Sequence, residues 1–197
     1  MKTVKFLTGN QGKWKIARDI FVGYQVDLLQ EKFDTPEIQS LDVEEVAKFS
    51  VMYASRQLGN GLMKSDVGYY IPALNNFPGP FIKFINQTLQ PEDILALMHK
   101  KEDRSVILRE CLAYMGEDGK TVGFISEQKA TIAVNPEGTG STIDRLLILD
   151  GFDRPKGACD PDDIFAHWKK TLGVYHDVAK YASGQPGVSP ATHFSMI

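Results

Sequence analysis

The stretch Phe6-Leu7-Thr8-Gly9-Asn10-Gln11-Gly12-Lys13 carries the strongest indication of the fold. The apolar run Val4–Leu7 ends there in small and polar residues, and apolar residues then recur at helical spacing from Trp14 onward. This order predicts a strand, a turn and a helix. The N–H groups at a helix N-terminus can bind an anion, and Lys13 adds a positive charge one turn into the helix.

Two short polar side chains, Thr8 and Asn10, flank Gly9 in this turn and add hydrogen-bonding groups. Together with Lys13 they favour a phosphate-binding turn, although the Walker pattern G-x-x-x-x-G-K-[ST] is absent. An ordinary strand-to-helix turn explains the same residues about equally well, so both interpretations stay open on these residues alone.

The composition limits the possible classes of protein. With 197 residues and 43% hydrophobic content, the chain can form one fairly large domain, or one domain in two lobes. A net charge of −3 gives no general attraction to nucleic acid or to an anionic membrane, so we expect neither as a partner. Two cysteines are too few for a disulfide framework, and Cys111 is expected in the core. No segment of membrane-spanning length and no N-terminal signal pattern is present, so we expect a cytoplasmic protein.

Hydrophobic periodicity and turn residues predict an alternation of strands and helices followed by a hairpin. The predicted elements are a strand and helix at about 3–22, a helix at about 43–58 with a capping box of Asp42 and Glu45, a strand at Leu62–Val67, helices opened by Pro78 and Pro91, a hairpin of Ser105–Met115 and Thr121–Val134, a strand at Leu146–Leu149 and a helical region at Asp162–Ala182. This order predicts an α/β fold with a mixed twisted sheet and a second lobe. A cleft between lobes is a usual ligand site. We expect residues 1–182 to form this domain and 183–197 to form a flexible tail.

Two carboxylates are candidates to accompany the Lys13 turn. Glu37 follows Pro36, which makes the residue before it extended, so Glu37 is presented from a stiff loop or strand end. Asp66 ends an apolar strand, where functional side chains of α/β sheets often project. Two carboxylates facing bound phosphates could hold Mg²⁺. From the residues alone, a solvated surface charge is the commoner explanation of Glu37. For Asp66, a functional role and an ordinary structural role are about equally frequent explanations.

Four motifs in order resemble the Ham1/inosine triphosphate pyrophosphatase family, which includes the RdgB-type pyrophosphatases of non-canonical purine nucleoside triphosphates. The motifs are Thr8-Gly9-Asn10-x-x-Lys13, Pro36-Glu37-Ile38-Gln39, Asp66-x-Gly68 and Phe77-Pro78-Gly79-Pro80-Phe81-x-Lys83. The resemblance implies an elongated α/β fold with two lobes and a central cleft, and a homodimer. It also implies Mg²⁺-dependent hydrolysis of a nucleoside triphosphate to the monophosphate and pyrophosphate.

The resemblance also implies roles for residues at matching positions. The triphosphate would be held by Thr8, Gly9, Asn10 and Lys13. Glu37 and Asp66 would bind Mg²⁺, and Asp66 would also activate the attacking water. Such hydrolysis needs neutralised phosphate charge and an aligned water, which a metal ion, a lysine and a carboxylate provide. Val67 and Lys83 would be further substrate contacts, and an exposed helical lysine explains Lys83 about equally well.

The part of the family pattern that reads the base is altered in this chain. The family's G-F-G-[YW]-D segment is here Gly140-Ser141-Thr142-Ile143-Asp144, so Asp144 matches as a substrate contact while the aromatic groups that stack on a purine are missing. Such stacking is worth roughly 1–3 kcal/mol. His176 matches the histidine of the family's C-terminal Ser-His-Arg motif and is a candidate base contact, but Asp177 replaces the arginine. An ordinary surface histidine also explains His176, and Tyr175 is a possible replacement stacking residue.

Two hypotheses follow from the contrast between the retained phosphate and metal residues and the altered segments that read the base. The retained phosphate and metal residues favour a Mg²⁺-dependent nucleoside triphosphate pyrophosphatase with altered or relaxed base specificity. The altered segments favour a non-catalytic nucleotide-binding or regulatory homologue on the same fold.

Overall fold

The computed structural model describes residues 2–194 of the chain. Its strands are β1 (Lys2–Leu7), β2 (Val26–Glu31), β3 (Leu62–Ile71), β4 (Phe77–Gly79), β5 (Ser105–Met115), β6 (Thr121–Ile132), β7 (Leu147–Leu149) and β8 (Thr192–Phe194). Its helices are α1 (Gln11–Phe21), α2 (Val43–Leu58), α3 (Ile82–Thr88), α4 (Pro91–Leu97), α5 (Pro161–Thr171) and α6 (Val174–Ser183). No helix within residues 2–194 is long and apolar enough to cross a membrane.

The strands form one mixed sheet in the order β2-β1-β3-β5-β6-β7, with β4 beside β3 and β8 beside β6. β1 runs parallel to both β2 and β3, whereas β4, β7 and β8 pair antiparallel with their neighbours. The predicted α/β fold with a mixed sheet is therefore confirmed. Phe6 pairs with Met63, so continuing this register by two residues puts Thr8 beside Ser65, just before α1 begins at Gln11.

The two long N-terminal helices each begin with a side-chain cap, and of these the cap at Asp42 is the one that the sequence predicts. Asn10 caps α1 by accepting a hydrogen bond from the Lys13 N–H, and Asp42 caps α2 by accepting one from the Glu44 N–H. The expected reciprocal bond from Glu45 runs instead through Ser40. The Ser40 hydroxyl donates to the Glu45 carboxylate at 2.6 Å and accepts from the Asp42 N–H at 3.0 Å.

The chain divides into two compact units. Unit 1 comprises the residues up to Asp66, Glu110–Ser126 and the residues from Trp168. Unit 2 comprises Val67–Arg109 and Glu127–His167. In unit 1, one face of α2 packs on residues of β3 and β5, and the buried Cys111 lies in that core as predicted.

Several element boundaries differ from the prediction. β3 continues past Val67 to Ile71 because β4 pairs with its end. Pro78 lies in β4, and the helix predicted to start there begins at Ile82. The predicted helical region at 162–182 is two helices, interrupted at Leu172 and Gly173.

The predicted tail contains β8, which pairs with β6 from Thr121 to Gly123. Residues 195–197 lie outside the described part of the chain. The flexibility expected for 183–197 therefore stays a prediction.

Candidate active site

The turn between β1 and α1 is held by its own side chains. The Thr8 hydroxyl accepts the Asn10 N–H at 3.1 Å, and the Asn10 side-chain oxygen accepts the Lys13 N–H at 3.1 Å. From β2, the Gln30 amide donates to the Thr8 carbonyl at 3.0 Å. Thr8 and Asn10 therefore shape the turn. The first N–H groups of α1, which a helix leaves without intrahelical partners, are suited to an anion.

The Lys13 side chain is held by one hydrogen bond and one ion pair to residues of the sheet. Its ammonium Nζ donates to Ser65 Oγ at 2.9 Å and lies 3.2 Å from Glu110 Oε1. Glu110 is only 5% exposed, so its negative charge needs such a partner. The structure thus adds a buried carboxylate to the predicted phosphate turn. The sequence analysis missed Glu110, although it follows Val106 and Leu108 on the buried alternate positions of β5.

Tyr175 completes this cluster from α6. Its hydroxyl donates to Glu110 Oε1 at 3.0 Å, and its ring meets Phe6 edge-on with centroids 6.1 Å apart. The side chain is 0% exposed, so Tyr175 is a core residue and cannot stack on a base. Burial raises the pKa of Tyr175 well above its ordinary value, and the Glu110 charge adds to this rise in the pKa. The phenol therefore stays a neutral donor.

The carboxylate side of the site is built around Lys64. Lys64 and Asp66 are two residues apart on β3 and so share one face of the strand. The Lys64 ammonium donates to Thr35 Oγ1 at 2.6 Å, which ties it to the segment that carries Glu37. Burial lowers the pKa of Lys64, and the negative charges of Asp66, Glu37 and Asp34 partly offset this lowering of the pKa. The predicted metal ligands Glu37 and Asp66 thus both act on one partly buried ammonium, that of Lys64, for which the sequence held no prediction.

The carboxylate oxygens of Glu37 and Asp66 suit one particular kind of metal site. Within residues 2–194, no group of three or more His, Cys, Asp or Glu side chains is placed to hold a metal ion. Mg²⁺, however, is usually held by one or two carboxylates together with waters and substrate phosphates. The hard oxygen donors of Glu37 and Asp66 fit that mode, with Glu37 exposed and Asp66 partly buried.

Three predicted substrate contacts belong to unit 2: Val67, Lys83 and Asp144. Val67 directly follows Asp66 in β3, and Lys83 is an exposed residue of α3. Asp144 accepts a hydrogen bond from the Lys156 ammonium at 2.7 Å and from the Ser141 N–H at 3.2 Å. Burial acts to raise the pKa of Asp144, but the charge and hydrogen bond of Lys156 outweigh it, so the pKa lies below its ordinary value of 3.8.

The segment that contains Asp144 is a packed turn. Ile143 is 2% exposed, and its N–H donates to the Asn86 side chain at 3.1 Å. The neighbouring Thr142 hydroxyl donates to the Leu89 carbonyl. Ile143 therefore supports the core of unit 2, and the partly buried Ser141 is the less enclosed of the two residues that replace the family's aromatic groups.

His176, the candidate base contact, is exposed on α6 in unit 1. Its Nδ1 lies 3.0 Å from the Tyr24 hydroxyl, and the two rings meet edge-on. Thr8, Asn10, Lys13, Glu37, Asp66 and His176 all belong to unit 1.

Comparisons with known proteins agree with this fold and its motifs. The model of the Ham1 family matches residues 4–162. Among curated relatives, the dITP/XTP pyrophosphatase of Methanopyrus kandleri is 34% identical over 76% of this chain and 80% of its own length. The dITP/XTP pyrophosphatase of Ignicoccus hospitalis is 30% identical over 93% of this chain and 98% of its own length.

Solved structures show the same fold at lower identity. A HAM1 protein from Coxiella burnetii superposes with a TM-score of 0.76 at 18% identity, covering 93% of this chain and 100% of its own. The Ham1 protein of Staphylococcus aureus gives a TM-score of 0.73 at 20% identity, covering 93% of this chain and 99% of its own. By the family match over 4–162, the identity to these relatives and the shared fold, the chain belongs to the Ham1 family.

Proposed function

We propose that this chain is a Mg²⁺-dependent pyrophosphatase that hydrolyses non-canonical purine nucleoside triphosphates to the monophosphate and pyrophosphate, with altered or relaxed base specificity. Curated relatives at 30–34% identity are named dITP/XTP pyrophosphatases, which supports the reaction class. The observation that carries the proposal is the grouping in unit 1 of a helix N-terminus, Lys13 and the carboxylates of Glu37 and Asp66. Phosphoryl chemistry depends on such positioning and charge neutralisation.

The phosphate chain would be held at the start of α1. Its first N–H groups and the Lys13 ammonium are positive, and the Thr8 and Asn10 side chains keep the turn in the shape that presents them. These contacts hold negative charge without reading the base, so they accept any nucleoside triphosphate.

The carboxylates of Glu37 and Asp66 would act at the phosphate groups where the bond is hydrolysed. Glu37 and Asp66 would hold Mg²⁺, which when bound neutralises phosphate charge and polarises the bond that breaks. Asp66 would orient a water and accept its proton, since a carboxylate in hydrogen-bond reach can act as a general base. Lys64, on the same face of β3, adds a second positive charge near these groups.

Base specificity is where this chain departs from its family's pattern. Ser141 and the buried Ile143 supply no aromatic face, Tyr175 is enclosed in the core, and Asp177 carries a negative charge. A site without dedicated hydrogen-bonding groups discriminates weakly, because no analogue leaves such groups buried and unpaired. This argument supports relaxed rather than sharpened specificity.

One observation favours the alternative, a non-catalytic nucleotide-binding homologue. The Lys64 ammonium lies near the negative charges of Asp66 and Glu37, where a divalent cation would otherwise act. A resident cation weakens metal binding, and without a metal the proposed chemistry would stop. A homodimer remains a proposal that rests on the family resemblance, and a cytoplasmic location remains the expectation drawn from the sequence alone.

A panel of nucleoside triphosphates tests these hypotheses. Pyrophosphate release is measured for ITP, dITP, XTP, ATP, GTP and the pyrimidine triphosphates, with Mg²⁺ and with a chelator. The enzyme hypothesis expects Mg²⁺-dependent release of pyrophosphate from ITP or XTP that is lost in Asp66→Asn. Nucleotide binding without any release would instead support the non-catalytic alternative.

A further inference from the structure

We infer that Glu110 and Tyr175 form a buried pair that positions the Lys13 ammonium and sets how strongly it holds phosphate. Glu110 and Tyr175 are thus positioning residues, acting through Lys13 and not on substrate. The inference rests on the proposed function for the identity of the anion, a phosphate or pyrophosphate group.

The geometry joins four elements of unit 1. Glu110 Oε1, from β5, receives the Tyr175 hydroxyl of α6 at 3.0 Å and faces the Lys13 ammonium of α1 at 3.2 Å. Ser65 of β3 accepts from the Lys13 ammonium at 2.9 Å. One carboxylate oxygen is therefore shared between a cation and a neutral phenol.

This sharing orients the lysine. An ammonium has three N–H donors. Within the described residues, Ser65 accepts one of them and the ion pair with Glu110 holds the ammonium 3.2 Å from the carboxylate, so a donor remains for a phosphate oxygen. A lysine on a flexible stem would otherwise spread its charge over many positions. The pair therefore gives Lys13 one preferred direction at the start of α1.

The sharing also tunes the charge of Lys13. Glu110 partly neutralises the ammonium and so weakens its attraction for an incoming phosphate. Tyr175 counteracts this effect, because a hydrogen bond to Oε1 takes up part of the carboxylate's negative charge. Substituting the two residues should therefore move phosphate affinity in opposite directions, whereas a merely structural pair would lose affinity or stability on either change.

The test measures binding of inorganic pyrophosphate by calorimetry, together with kcat and KM, for the full chain. Glu110→Gln keeps the size and an acceptor but removes the charge. We expect pyrophosphate affinity to rise about threefold or more while kcat falls, since the released anion is held more tightly. Tyr175→Phe removes the hydrogen bond to the Glu110 carboxylate, so the full negative charge of Glu110 acts on the Lys13 ammonium. Pyrophosphate affinity should therefore fall about threefold.

A double-mutant cycle with Lys13→Met shows whether the effect passes through Lys13. In the Lys13→Met background, Glu110→Gln should leave pyrophosphate affinity unchanged. Circular dichroism and thermal melting establish that each variant folds. If Glu110→Gln does not fold, Tyr175→Phe decides the question. It should lower pyrophosphate affinity in the wild-type background and should have no effect on affinity in the Lys13→Met background.

The inference is overturned if both substitutions change affinity in the same direction, or if either effect persists without Lys13. It can fail while the wild-type chain still hydrolyses triphosphates, in which case the proposed function stands. A wild-type chain that neither hydrolyses triphosphates nor binds pyrophosphate would overturn both.

Discussion

The Lys64 ammonium lies 2.6 Å from the Thr35 hydroxyl, and this bond joins β3 to the loop that carries Glu37. The two residues are 29 positions apart in the chain. The negative charges of Asp66 and Glu37 also act on the Lys64 ammonium. Lys64 is therefore a protein cation near the proposed metal ligands. The competition between this cation and Mg²⁺ is a property that experiment can measure.

Substituting Lys64 with Met should strengthen Mg²⁺ binding. Partly exposed ion pairs contribute about 0.2–1 kcal/mol, so the Mg²⁺ concentration for half-maximal pyrophosphate release should fall by up to about fivefold. Titrating Mg²⁺ at saturating ITP measures this concentration. Lys64→Arg, which keeps the charge, should stay near the wild-type value. An unchanged or higher requirement in Lys64→Met would show that Lys64 does not compete with the metal.

Replacing Asp66 with Asn should remove most hydrolysis and leave the fold intact. The amide keeps the volume but loses the charge and basicity that water activation needs, so the rate should fall by about 10²-fold or more. Pyrophosphate release and thermal melting report the two properties separately. Asp34→Asn is the matched control, because Asp34 is an exposed carboxylate that acts on the same Lys64. A turnover equal to that of the wild type would reject Asp66 as the catalytic carboxylate.

The preference for ITP or XTP over ATP and GTP should be less than a hundredfold, or about 2.7 kcal/mol at ~1.36 kcal/mol per decade. The physical reason is that Ser141, Ile143 and Asp177 provide neither stacking nor a cation to read a purine carbonyl. Measuring kcat/KM for each triphosphate tests this expectation. A larger preference would mean that other residues rebuild the base pocket.

Lys156→Met should destabilise unit 2 in a manner that depends on pH. The folded pKa of Asp144 is lowered, so its contribution to stability is present above the unfolded value of 3.8 and is lost as pH falls below 3.8 through the folded pKa. Without Lys156, burial should act against the charged form of Asp144, so the stabilising contribution at neutral pH should become smaller or reverse in sign. At pH 7 we expect a loss of about 1–2 kcal/mol, since a hydrogen bond to a charged group is removed.

Urea denaturation at pH 7 and at pH 3 measures this effect. The difference in unfolding free energy between wild type and Lys156→Met should shrink at pH 3, because the stability that comes from the lowered pKa of Asp144 is lost as pH falls below the unfolded value of 3.8. Arg154→Met breaks the neighbouring exposed pair with Asp153 and should cause no measurable change. An equal loss at both pH values would show that packing of the Lys156 stem, rather than its charge, stabilises the segment.

Local signals in the sequence were sufficient for most of the elements. The β1–turn–α1 unit, α2 and the β5–β6 hairpin follow from hydrophobic periodicity, caps and turn residues, all of which act within a few neighbouring positions. The errors lie where one of several local pairings had to be chosen. β3 runs to Ile71 because β4 pairs with it, and the capping of α2 passes through Ser40 instead of directly from Glu45.

The sequence by itself was enough for the family motifs, the predicted phosphate turn with Lys13 and the candidate carboxylates Glu37 and Asp66, because these are short patterns of residue type and spacing. Only the tertiary structure decided which groups act on them. Ser65 meets Lys13 across 52 positions, and Tyr175 meets Glu110 across 65. Such pairs form because a buried charge must find a partner of opposite charge or a hydrogen-bond donor, and strand register together with helix packing, rather than local propensity, determines which residue is near enough.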